Sequence, residues 1–72
     1  MAAVKWEAIS GYIDRALNTR GLIQYSDLMS IAIADNASDD IIDALDAIGS
    51  RVFNTAADVR NFLTGQGYVV KG

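Results

Sequence analysis

From Trp6 to Leu17 the apolar residues recur three or four positions apart, at Trp6, Ile9, Ile13, Ala16 and Leu17. At about 100° per residue they share one face of a helix, with Tyr12 at its edge and Glu7, Asp14, Arg15 and Asn18 opposite. The same period returns further along, punctuated by glycines and capping residues and by neither proline nor cysteine. Disulfides and thiolate metal sites are therefore unavailable, and the chain must cohere by packing amphipathic helices on one another. A chain of 72 residues, 51% of them hydrophobic, is expected to form one domain over residues 1–72. A domain of that size buries only roughly 60% of its unfolded surface, so its stability is expected to be marginal.

Gly21 is placed to end the first helix in a left-handed conformation, with Arg20 in the last turn near the helix's negative pole. Gly11 falls on the polar face, where it costs up to about 1 kcal/mol relative to alanine and implies solvent or a close neighbour. The extended stretch LIQY leads to Ser26, the expected N-cap of a second helix running to about Asp35. Leu28, Ile31 and Ala32 share one side of that helix and Met29 and Ile33 another, so it reads as the central, most enclosed one. An alternating strand over MSIAIA is the alternative, opposed by the helix signals that bracket it. Ser38 is the expected cap of a third helix, with Asp39 and Asp40 in its first turn, Ile41, Leu45 and Ile48 inward, Ile42 and Ala44 flanking them, and Gly49 as its stop. Thr55 and Asp58 have the spacing of a capping box opening a short fourth helix, whose Val59, Phe62 and Leu63 face inward and which TGQG ends. The β-prone triplets RVF and YVV can pair, 51–53 with 68–70, as a minimal two-stranded element. The expected fold is thus mainly α, a compact three- to four-helix domain, with a winged-helix-like outline if that pairing forms.

The formal net charge of −3 conceals an uneven distribution. Lys5, Arg15 and Arg20 outweigh Glu7 and Asp14 at one end, and Arg51, Arg60 and Lys71 outweigh Asp58 at the other. Between Gly21 and Ser50 there is no Lys or Arg, while Asp27, Asp35, Asp39, Asp40, Asp43 and Asp46 all lie there. Such a block attracts basic surfaces and repels phosphate backbones. On the third helix Asp39, Asp43 and Asp46 fall within an arc of roughly 60°. Like charges at this spacing cost only a few tenths of a kcal/mol per pair, so the face is readable either as a docking surface or as an ordinary solvated one.

Histidine and cysteine are both absent, which removes the usual proton shuttle and the usual thiol nucleophile, and no catalytic residue is assigned. DNASDD has the look of a calcium loop but lacks its glycine and closing bidentate Glu, and a capped helix start accounts for the same letters. Gly65 and Gly67 follow a helix rather than opening one, so no phosphate-binding fingerprint is present. No cofactor or metal is expected. Trp6, Tyr12 and Phe62 read as packing residues, and Tyr25 as the anchor of the turn into the second helix. Met29 and Ile33 are core residues or else an apolar contact for a partner or a second copy of the chain. MAAVKWEAIS lacks a basic start followed by a long apolar run, and no stretch reaches the roughly 18 apolar residues of a membrane span, so a soluble cytoplasmic protein is expected.

Residues 21–53 resemble the autoinhibitory N-terminal region of bacterial housekeeping sigma factors. Gly21, Leu22, Tyr25, Asp27 and Leu28 follow that family's approach to an acidic-apolar helix, and Asp40, Ile41, Ile42, Leu45, Ile48, Gly49 and Val52 match the helix and its Gly-x-x-Val exit. The resemblance implies a small acidic helical domain that occupies the DNA channel of RNA polymerase, hence a nucleic-acid mimic or polymerase-associated role. Residues 22–63 also resemble a family of small stand-alone bacterial proteins of unknown function, through Tyr25, Leu28, Ala32, Asn36, Ala37, Asp40, Ile41, Ala44, Leu45, Arg51, Phe53, Asp58 and Val59. That likeness implies a succession of short helices and no activity.

The function expected from the residues is non-enzymatic: a regulatory or adaptor protein whose Asp35, Asp39, Asp40, Asp43 and Asp46 meet a protein partner with a basic surface, with transcription-associated action or DNA-mimic inhibition as particular forms. One alternative is a winged-helix-like nucleic-acid binder using Arg51, Arg60 and Lys71, although its reading helix would be the acidic one. The other is a self-associating helical protein. The expected state is a monomer or weak homodimer.

Overall fold

The computed structural model describes residues 3–70. The architecture is mainly α, with the elements α1 (Trp6–Arg20), β1 (Ile23–Gln24), α2 (Tyr25–Ala34), α3 (Asp39–Asp46), β2 (Val52–Phe53) and α4 (Ala56–Gly65). The periodic apolar face of α1 buries Ile9, Ile13 and Ala16. Gly21 ends this helix at φ 77, its N–H donating to the Leu17 carbonyl at 2.7 Å. This is the left-handed cap that a residue without Cβ adopts at no steric cost.

A two-stranded antiparallel element is present, but its pairing differs from the expected 51–53 with 68–70. β2 pairs with β1, in the register Ile23↔Phe53 and Gln24↔Val52. The reason lies at the end of α4, where Gly67 takes φ 83. Its N–H donates to Thr64 at 3.1 Å and that of Tyr68 to Leu63 at 3.0 Å, a Schellman turn. The turn carries Val69 alongside Val4 in a parallel bridge, with Val4 N–H on the Tyr68 carbonyl and Val70 N–H on the Val4 carbonyl, each 3.0 Å. The last β-prone triplet is thereby tied to the beginning of the chain.

Helix α2 starts one residue before the expected cap Ser26. Gln24 occupies the N-cap position in an extended conformation and makes no capping hydrogen bond through its side chain. Because Gln24 is still laddered to Val52, the chain passes directly from strand to helix. Asp27 supplies the first-turn negative charge, held by Arg20 Nε at 2.8 and 2.9 Å from its two oxygens and by Gln24 Nε2 at 3.2 Å. At the other end Asn36 takes φ 56, its N–H on Ile33 at 3.1 Å and that of Ala37 on Ala32 at 3.0 Å. Asparagine here does what glycine does after α4, since its short polar side chain tolerates the left-handed region.

The expectation that α2 is the most enclosed helix is corrected. Only Leu28 and Ala32 of α2 are buried, and Ile33 is 66% exposed. α1 instead supplies the larger buried face and packs against every other helix. Ile23, Leu45, Ile48, Val59 and Leu63 join Ile9, Ile13, Leu28 and Ala32 in one continuous apolar cluster. No buried polar or charged residue interrupts it among the described residues.

Candidate functional site

The acidic face is carried by α3, and local chemistry explains why that helix forms. Ser38 Oγ accepts the Ile41 N–H at 3.4 Å, satisfying one of the open amides of the first turn. Asp39 and Asp40 lie in that turn, where negative charge meets the positive end of the macrodipole. Ala44 and Leu45 are buried, while Asp39, Asp40, Asp43 and Asp46 are all exposed. The helix ends at Asp46, before the expected stop at Gly49. Tighter turns follow, with Ile48 N–H on Leu45 at 3.2 Å and Gly49 N–H on Asp46 at 3.1 Å, and Gly49 at φ 60. These extra turns seat Ile48 in the core.

The five candidate carboxylates differ in what surrounds them. Asp35 caps the end of α2 and accepts a hydrogen bond from the Tyr12 hydroxyl of α1 at 2.7 Å. That bond, with a smaller effect of burial and of the carboxylate's charge, raises the Tyr12 pKa above its ordinary 10.0. Asp46 similarly raises the pKa of Tyr25, through hydrogen bonding to its hydroxyl and through its charge. Asp35 thus serves an internal contact as well as the surface, and Asp46 lies near enough to Tyr25 to act on it electrostatically. Asp39, Asp40 and Asp43 face solvent, and the ion pair found among the described residues, Arg20–Asp27, involves none of them. Asp27 belongs to the same acidic block but spans from α2 to α1 and is not part of the face.

The apolar candidates separate as well. Met29 is half-buried and packs against the core, whereas Ile33 projects into solvent. Of the basic candidates, Arg51 lies 4.6 Å from the centroid of the Phe62 ring and Arg60 5.9 Å from that of Trp6. Both are exposed, yet each lies over an aromatic face that attracts a cation. Lys71 lies outside the described residues. Phe62 also meets Phe53 at 5.6 Å between centroids, which accounts for the placement of β2 beside α4.

A cleft of about 470 Å³ between α1 and α2, lined by Arg15, Asn18, Thr19, Ile31, Ala34 and Asp35, is open to solvent and touches the acidic set at Asp35 alone. No group of three metal-ligating side chains converges among the described residues. None of their helices is long and apolar enough to cross a membrane. The contact of Tyr12 with Asp35 is not legible in the sequence, because partners more than twenty positions apart leave no mark in local spacing. The left-handed Asn36 did carry a signal, an Asn directly after an apolar-periodic run. No protein-family model matches this chain, and no match to it is found among curated proteins or solved structures.

Proposed function

We propose that this chain is a non-enzymatic regulatory or adaptor protein that docks the acidic face of α3 against a basic surface of a protein partner. The observation that supports this most directly is the outward set Asp39, Asp40 and Asp43, exposed and with no ion pair among the described residues, on a hairpin that holds no Lys or Arg between Gly21 and Ser50. Exposed carboxylates outside any such pair can exchange water for partner cations without first breaking an ion pair within the described fold. Their summed field also steers a basic partner into encounter, an effect that falls with ionic strength. Inhibition by DNA mimicry, or a polymerase-associated role of the kind implied by the resemblance of residues 21–53, is a particular form of the same mechanism.

The test is capture of partners at low salt from the cell that expresses the protein, with a variant carrying Asp39→Asn, Asp43→Asn and Asp46→Asn as parallel bait. The variant is expected to keep its helical circular dichroism and to recover its partner with reduced affinity and a shallower dependence on salt. Equal recovery by the two baits at every salt concentration rules the face out as the docking surface.

A further inference from the structure

We infer that the acidic face is one wall of a groove, and that the partner element it takes is a basic amphipathic helix lying along the α2–α3 hairpin. This deepens the docking role proposed above and rests on it. Helices α2 and α3 are joined by residues 35–38 and pack on one another, and Tyr25 at the start of α2 lines a small pocket with Gly49 and Ser50 just beyond the end of α3, so the two run antiparallel side by side. Tyr25, Met29 and Ile33 are four positions apart and form one line along α2. That line begins at Tyr25, beside Gly49 and Ser50, while Ile31 and Ala34 on another side of α2 line the cleft with α1, so the line follows the side of α2 that borders α3. Ile33 is 66% and Tyr25 38% exposed, with Met29 half-buried between them. On α3 the half-buried Ile42 lies between Asp39 and Asp46 on one flank, at spacings of three and four.

An apolar strip about 12 Å long, the rise of eight helical residues, is thus bordered by carboxylates. Two to three turns of a partner helix cover it. Apolar side chains of that helix at i, i+4 and i+7 would bury Ile33 and Tyr25, and Lys or Arg on its adjoining flank would meet Asp39, Asp43 and Asp46. The strip's charge selects among occupants. Nucleic acids and anionic lipid surfaces are repelled by the same carboxylates. A second copy presenting the same hairpin brings like charges together. At the Tyr25 end the groove is bounded by a small pocket that Tyr25 shares with Arg51 and Val52.

Two fluorescent peptides of identical composition test the inference: a Leu/Lys helix with its leucines in a single stripe, and a scrambled isomer without the stripe. At low salt the striped peptide is expected to bind about tenfold more tightly than the scrambled one, the difference that burying an Ile-sized side chain supplies. Ile33→Ser, a change at an exposed position that alters no charge, is expected to abolish that advantage, and the triple Asp→Asn variant to weaken both peptides. Equal binding of the isomers, unaffected by Ile33→Ser, overturns the groove and leaves docking by charge intact. Failure of both peptides to bind, or binding indifferent to the triple variant, overturns the docking reading and the groove together. A dimer in sedimentation that Ile33→Ser dissociates assigns the strip to a second copy and overturns the inference.

Discussion

Single residues in this protein are placed by backbone requirements as much as by hydrophobicity. Gly21, Asn36 and Gly67 each take a positive φ just beyond a helix, and each returns N–H groups to the carbonyls behind it. Gly11 differs, because it lies within α1, is exposed, and a Cβ built there meets nothing within 4 Å. Its flexibility has no structural use in the fold, so its main effect is to enlarge the unfolded ensemble. Gly11→Ala is therefore expected to stabilise the protein by about 0.5–1 kcal/mol, read as a rise of several degrees in the thermal midpoint. An unchanged or lowered midpoint would mean that the position has a neighbour or partner in solution.

At the scale of the element, α3 combines strong local encouragement with a local penalty. Ser38 and the first-turn aspartates favour it, while the pairs Asp39–Asp43, Asp40–Asp43 and Asp43–Asp46 repel at i,i+4 or i,i+3 spacing. Asp43 takes part in all three. Asp43→Lys converts each repulsion into an attraction and is expected to stabilise the fold by about 0.5–1 kcal/mol in chemical denaturation at low salt, with the gain shrinking as salt is added. If α3 is the docking surface, the same change must weaken the partner while strengthening the fold. The helix, its cap, the burial of Leu45 and Ile48 and the outward carboxylates were legible from spacing, since each depends on neighbours within one or two turns, whereas Ile41, expected inward, is half-buried and Ala44, expected at the flank, is buried. The start of α2 was not, because Gln24 is held in the strand by Val52, a residue from a distant part of the chain.

For the whole molecule the stakes are set by size. A core of this extent supports only about 3–5 kcal/mol of net stability, while truncating a buried isoleucine to alanine removes about 2–5. Ile13→Ala is accordingly expected to leave the chain largely unfolded at room temperature by circular dichroism. Ile33→Ala, the same chemistry at a residue 66% exposed, is expected to shift stability by less than about 0.5 kcal/mol. Sequence periodicity places Ile33 on a different side of α2 from Leu28 and Ala32 but says nothing about whether that side is covered. The amino-acid sequence by itself determined the helices, most of their caps, the uneven charge and the amphipathic division of α3, because these follow from interactions between residues close along the chain. Tertiary structure alone decided that β2 pairs with β1, that Val69 returns to Val4, that Tyr12 holds Asp35, and that α1 is the helix packed against all the others. Those outcomes depend on which surfaces meet when distant segments collapse onto one core, and local spacing carries no record of that meeting.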